Sequence, residues 1–298
     1  MNSEFQFDQE FFSAARRGLR SLSAEDQQEI KNFIETELTD GGFFTSAKGE
    51  PDLYITALGV LLSSLLGVEK NAEATTRYLR SKGNGEGLDF IYVVSLARAW
   101  RFYPHDSLEI GSYSKIAEQL EYSRCADNLW NQAFGTHYGS VYGTFLALAS
   151  YQNLGLSVPD EAKLANSMKV LRSDDGAFGT DRGAVNATTP ATSFAALILN
   201  FLEEPHEFEI SWLLKQQHSD GGFLAVPQMP FSDIQSTFYT AMALAATAPE
   251  KLKEIAEQIK KFAFSMRAPG GFRGHLKEEN SSIESTVFAL ACIGFADF

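Results

Sequence analysis

The residues of this chain best suited to chemistry are carboxylates and aromatic rings at regular spacing. Asp52, Asp89 and Asp233 each head an apolar stretch, and Glu284 stands just inside another. Two carboxylates across a cleft are what cleavage of a glycosidic bond needs. The aspartates also suit helix N-caps, and Glu284 suits a first-turn acid favoured by the helix dipole. Tyr54, Tyr92, Tyr142, Phe194, Phe238, Tyr239 and Phe288 lie on the same stretches. In a cavity their faces would attract positive charge; core packing is the competing role for any single ring. Arg182, Arg273, His275 and Lys277 follow glycine turns. They would form a cationic rim matched to phosphate oxygens, or serve as solvated loop charges of little energetic weight. His137 stands alone. The only two cysteines, Cys125 and Cys292, show no CxxC spacing, so no thiol metal site is indicated. Both read as reduced and buried.

The elements that position these residues repeat along the chain. Asp40-Gly41-Gly42-Phe43, Glu86-Gly87-Leu88, Gln132-Ala133-Phe134, Asp175-Gly176-Ala177-Phe178, Asp220-Gly221-Gly222-Phe223 and Pro269-Gly270-Gly271-Phe272 close on apolar residues at steps of 45, 46, 44, 45 and 49. Such a period marks a repeat architecture. Before each turn lies a polar helical stretch: 24–38, 71–81, 113–122, 160–171, 205–217 and 249–266. After it comes a small-and-apolar one: 52–66, 89–100, 140–151, 188–201, 233–246 and 282–293. The first kind has one apolar face and should be half exposed. The second is apolar nearly all round and should be buried. The spacing predicts an all-α, α/α toroid: a six-hairpin double barrel with inner and outer rings of six helices. The repeats are placed at about 24–66, 67–104, 112–154, 159–203, 205–247 and 249–295 of one domain spanning 1–298. An open solenoid is the rival, but its end repeats should turn polar as caps, and here they do not. Asp-Gly supplies the sharp reversal between helices.

Composition narrows the partners. The net charge is −13, from 25 basic and 38 acidic side chains. Phosphate neutralisation needs surplus Lys and Arg, so nucleic acid is not an expected partner. No apolar run approaches the ~20 residues of a membrane span. The first ten residues lack the basic start of a secretory signal, and cytoplasm is the expected compartment.

The run from Trp212 to Phe223 fits aromatic, aliphatic, three of any kind, Gln217, three of any kind, Gly221, any, aromatic. It resembles the QW motif of squalene–hopene cyclases, with Phe in the final Trp position. The DGGF turns also resemble those of protein prenyltransferase β subunits. Both belong to the α/α-toroid superfamily of terpenoid cyclases and prenyltransferases, and the resemblance covers roughly residues 24–294. It implies an isoprenoid-sized, aromatic-lined cavity in the inner barrel, open at one end. Aligning the inner helices on Thr56, Val93, Thr144, Thr192, Thr237 and Thr286 puts the zinc slots of the prenyltransferases at Thr188 and Pro190, or Thr189 and Ala191 with a one-residue slip, and at Ser236. None is a zinc ligand. Neither Zn nor Mg, nor any other cofactor, is expected. The DxDD segment of class II cyclases falls on Asp233-Ile234-Gln235-Ser236, where Gln235 replaces the proton donor. Glu284 occupies the donor column of the last repeat without acidic neighbours. Arg182 lies close to a diphosphate-binding Arg of the family, but the Lys that follows it there is missing (Val185, Asn186).

The resemblance implies an isoprenoid-related enzyme or enzyme-like protein. Its candidate catalytic residues are Glu284 and Asp233. Tyr54, Tyr142, Phe194, Gln235, Tyr239, Phe288, Arg182, Arg273, His275 and Lys277 are the candidate binding residues. The expected partner is an isoprenoid or other hydrophobic small molecule, with a protein or peptide partner also open. Two alternatives remain: a non-catalytic lipid- or peptide-binding toroid, and a carbohydrate-active six-hairpin enzyme.

Overall fold

The computed structural model describes residues 5–46, 48–103, 108–109 and 111–297; Pro104, placed at the end of the second repeat, lies outside them. The described helices are α1 (Phe7–Arg20), α2 (Ala24–Glu37), α3 (Leu53–Leu66), α4 (Ala72–Arg80), α5 (Phe90–Phe102), α6 (Ser112–Glu121), α7 (Val141–Leu154), α8 (Glu161–Met168), α9 (Thr189–Phe201), α10 (Glu207–Leu214), α11 (Ile234–Thr247), α12 (Pro249–Ser265) and α13 (Ile283–Ala296). The described strands, Arg267–Ala268 and Gly271–Phe272, form one short ladder in the last turn. No described helix is long and apolar enough to cross a membrane.

The six even-numbered helices are the outer ones and the odd-numbered helices from α3 to α13 the inner ones. The two kinds bury as their patterns require. On α2 only Ile30 and Ile34 are fully buried, whereas α9 buries nearly every residue from Thr189 to Leu199. Each inner helix packs on the next inner helix, and α13 packs back on α3. The chain is therefore a closed α/α toroid.

A repeated set of hydrogen bonds builds each turn. In five repeats a buried aromatic donates its backbone N–H to the hydroxyl of the aligned threonine. Phe44 N reaches Thr56 at 3.0 Å, Trp130 N reaches Thr144 at 3.3 Å, Phe178 N reaches Thr192 at 3.2 Å, Phe223 N reaches Thr237 at 2.9 Å and Phe272 N reaches Thr286 at 3.0 Å. In two repeats this corrects the expected closing residue. Phe44 plays the part rather than Phe43, which is only half-buried. Trp130 plays it rather than Phe134, which is 93% exposed. The true third turn is Asp127-Asn128-Leu129-Trp130. There Asn128 takes the left-handed backbone at φ +67° that Gly221 takes at φ +97° in the fifth. Asn is the non-glycine residue that best tolerates this region.

The glutamine of the QW-like run has a mechanical role. Gln217 Nε2 donates to Gly221 O at 3.3 Å, clamping the turn four residues on. Arg124, Arg172 and Arg267 make the same bond in other repeats, to Asn128 O, Gly176 O and Gly271 O. Their guanidinium groups also lie 4.6, 4.6 and 5.0 Å from the centres of the Trp130, Phe178 and Phe272 rings. These arginines reach outward as well. Arg172 pairs with Glu209 of α10 at 2.6 Å. Arg267 pairs with Asp26 and Glu29 of α2 at 2.6 and 2.8 Å. Last and first repeats are thus joined by the kind of ion pair that joins the fourth to the fifth.

Helix α1 precedes the repeats and fills the end of the barrel where the inner helices finish. Phe7 packs on Phe145 and Phe201, Phe11 on Phe238 and Phe288, and Phe12 on Phe102. The backbones of α1 and α13 touch. A Cβ built on Gly18 would lie 1.8 Å from Leu290 O, and one on Gly294 would lie 1.8 Å from Ala14 O. Only glycine at both positions permits this approach. Cys292 is buried, as expected; Cys125 is only partly so.

Candidate functional site

All six inner helices start on one face of the ring, each from a side-chain N-cap. Asp52, Asp89, Ser140, Thr188, Asp233 and Ser282 accept from the backbone N–H three residues on. Capping fixes the first turn of each helix, and with it the side chains two places later: Tyr54, Ile91, Tyr142, Pro190, Gln235 and Glu284.

Two of these meet across the junction that closes the ring. The Tyr54 hydroxyl donates a short hydrogen bond to Glu284 Oε1. Burial raises the pKa of Tyr54, helped by nearby Tyr239 and by Glu284, so the phenol stays a donor. The Tyr239 and Tyr142 hydroxyls are likewise raised, first by burial. The rings form one continuous group. Phe194 lies 5.5 Å from Tyr142 and 4.4 Å from Tyr239, and Tyr239 lies 5.7 Å from Phe288, ring centre to ring centre. Gln235 is exposed at the mouth with its side chain toward Tyr239.

Deeper along the axis sits an ion pair. Arg98 of α5 holds Asp8 of α1 through two bonds of 3.0 Å, and Asn153 adds a third to the carboxylate at 2.6 Å. Arg98 and Asp8 are 8% and 4% exposed. Tyr54, Tyr142, Tyr239, Phe288, Arg98 and Asp8 border a void of about 20 Å³, room for a single water. Asp8 and Phe11 of α1 border this void together with the rings, so among the described residues the axis is narrow at this point. A wider groove of about 460 Å³ opens between the first and last repeats, bordered by Phe33, Glu37, Ile55, Asn280 and Glu284. Glu284 stands at its edge.

Asp233 is engaged by its cap. Its two oxygens accept Ser236 N at 2.7 Å and Ser236 Oγ at 2.8 Å. Burial raises its pKa against the pull of those bonds. The expected cationic rim is only partly assembled. Arg273, His275 and Lys277 gather round Glu278 and Phe231, and His275 lies near Asp233. Arg182 instead stacks on Tyr138 at 4.3 Å. At the zinc slots, Thr188 caps α9, Pro190 has no donor atom, and Ser236 is spent on Asp233. This donor set does not fit zinc, and no step below runs through a metal. Sequence reasoning missed Asp8, Arg98 and α1. The one signal was the apolar series Phe7, Phe11, Phe12, Ala14, Ala15, Gly18 at helical spacing.

A family model of the prenyltransferase alpha-alpha toroid domain matches residues 12–88, 116–209 and 198–297, and the chain belongs to that family. No curated protein matches the sequence. The solved structures similar to it include three of different kinds. Type II terpene cyclase MstE from Scytonema is 17% identical, over 93% of this chain and 72% of its own, with a TM-score of 0.50. The Candida albicans protein geranylgeranyltransferase-I, complexed with GGPP, is 15% identical over 70% and 71%, with a TM-score of 0.52. A possible member of the GH105 family from Klebsiella pneumoniae is 11% identical over 93% and 94%, with a TM-score of 0.54. At these identities the likeness is one of fold.

Proposed function

We propose that this toroid handles an isoprenoid at the mouth of its aromatic axis, in the manner of a prenyltransferase or terpenoid cyclase, with Glu284 as proton donor. The Tyr54–Glu284 hydrogen bond beside the joined rings of Tyr142, Phe194, Tyr239 and Phe288 carries this reading. A protonated Glu284 gives its proton to one carbon of a substrate double bond. The π pair becomes the new C–H bond, and the adjacent carbon is left positive. The carboxylate that remains is stabilised by the Tyr54 hydroxyl, and the cation by the ring faces. Loss of a proton from the final cation restores the acid. Asp233 acts as a positioning residue, holding the first turn of α11 and so aiming Gln235 and Tyr239. Arg273, His275 and Lys277, with Arg182 farther round, supply cations for a diphosphate. The substrate reaches Glu284 along the groove between first and last repeats. The step uses no cofactor.

The narrow void beside Asp8, Phe11 and Arg98 favours one second reading, a toroid that binds a lipid or peptide without turnover. The carbohydrate-active alternative is weaker, because Asp52, Asp89 and Asp233 are each spent as caps. Product analysis after incubation with geranylgeranyl diphosphate decides between them. Turnover should fall about a hundredfold in Glu284→Gln, the scale of a lost general acid. Equal turnover overturns Glu284 as the donor. Binding by wild type without any product selects the second reading.

A further inference from the structure

The Asp8–Arg98 pair is unusual in its placement. An arginine nine-tenths buried faces the axis of an aromatic barrel, and its carboxylate partner arrives on a helix outside the six hairpins. Arg98 donates to that carboxylate through Nε and Nη2 together, the two-pronged geometry with which arginine holds a planar oxyanion. One turn on, Phe11 packs against the stacked pair Phe238 and Phe288, at 4.7 and 5.8 Å. Seen from the barrel, α1 presents an oxyanion next to an apolar body. We infer that the first two turns of α1 are a built-in stand-in for a ligand, and that Arg98 anchors a binding site for an amphiphile with a carboxylate or phosphate head. The inference rests on the reading of the axis as a ligand site, not on the ligand being an isoprenoid.

The two halves of α1 are held differently. Ala14 to Gly18 is fixed by backbone contact with α13. The first turn has no side-chain cap of its own. It is held by Gln152, whose side chain accepts from Phe7 N at 2.9 Å and donates to Phe5 O at 3.2 Å, by the ion pair, and by the packing of the Phe7 and Phe11 rings on the inner helices. Ligand entry on this proposal requires Phe7 to Phe12 to leave the axis while the backbone contact of Ala14 to Gly18 with α13 is kept, the ligand replacing the ring contacts that are lost. A bare departure would leave Arg98 charged and unpaired in an apolar interior, which is strongly unfavourable. An incoming oxyanion removes that obstacle, and an apolar tail fills the place of Phe11. This selects the ligand class: geranylgeraniol, which has the tail without the head, should not exchange with α1.

Hydrogen exchange on the full chain tests this. Saturating geranylgeranyl diphosphate or palmitate should speed exchange of the Asp8–Ser13 amides at least tenfold, and geranylgeraniol should not. Asp8→Asn, which weakens the plug, should bind the active amphiphile more tightly. About 1.4 kcal/mol of weakening gives tenfold, because apparent affinity scales with the open fraction. Unchanged protection of α1 under both anionic probes overturns the inference, and a melting-point rise with geranylgeranyl diphosphate in that same sample leaves the isoprenoid function standing. Exchange driven by palmitate but not by geranylgeranyl diphosphate upholds the Arg98 site as one for fatty carboxylates and leaves the isoprenoid reading to be decided by the melting point. Equal exchange with geranylgeraniol overturns recognition through Arg98. If Asp8→Asn does not fold, the wild-type exchange data decide alone.

Discussion

In five of the six hairpins one threonine hydroxyl holds the buried aromatic of the turn. Thr237 accepts from Phe223 N and donates to Asp233 O at 2.7 Å, so a single side chain ties turn, cap and helix together. Thr237→Val keeps the shape but leaves a buried N–H without a partner, which costs about 1–3 kcal/mol. Chemical denaturation should show that loss, with Thr237→Ser recovering most of it; equal stability of all three proteins would remove the clamp from the account. This threonine series was legible in the sequence, because its spacing from the caps is constant. The turns at Phe44 and Trp130 were misplaced for physical reasons. Phe43 and Phe44 are adjacent rings, and only packing chooses between them. In the third repeat Asn128 supplies the backbone freedom that a search for glycine looks past. Arg124, Arg172 and Arg267 replace Gln217 because the turn needs any long donor there, and arginine adds contact with the ring. The Asp8–Arg98 pair spans 90 positions, and no local pattern points to it.

At the scale of elements, periodicity placed the inner and outer helices closely, since burial on one side or all sides leaves a clear mark. Helix α1 escaped because it belongs to no repeat, and its small residues could be read as ordinary packing. Its contact with α13 makes a direct prediction. Gly294→Ala would drive a methyl group into Ala14 O, and the backbone there cannot yield without separating the two helices. The expected loss is about 3 kcal/mol, at the upper end for overpacking. Thermal melting checks it; a variant as stable as wild type would mean that α1 does not lie against α13 in solution.

For the whole molecule, closure and function are linked. The ring closes through α13 on α3 and through Arg267 on α2. The Tyr54–Glu284 pair bridges that same junction, so the proposed donor exists only in the closed ring. Homology of fold fixes neither substrate nor turnover; the chemistry rests on what the mouth of the axis binds. The most direct measurement is the melting temperature with saturating geranylgeranyl diphosphate. At a hundred times the dissociation constant, binding adds about 2.7 kcal/mol, a rise of about 5 °C for a chain of this size. That rise should shrink in Arg182→Ala and Arg273→Ala. A melting temperature unmoved at millimolar ligand would contradict the isoprenoid site at the mouth of the toroid axis.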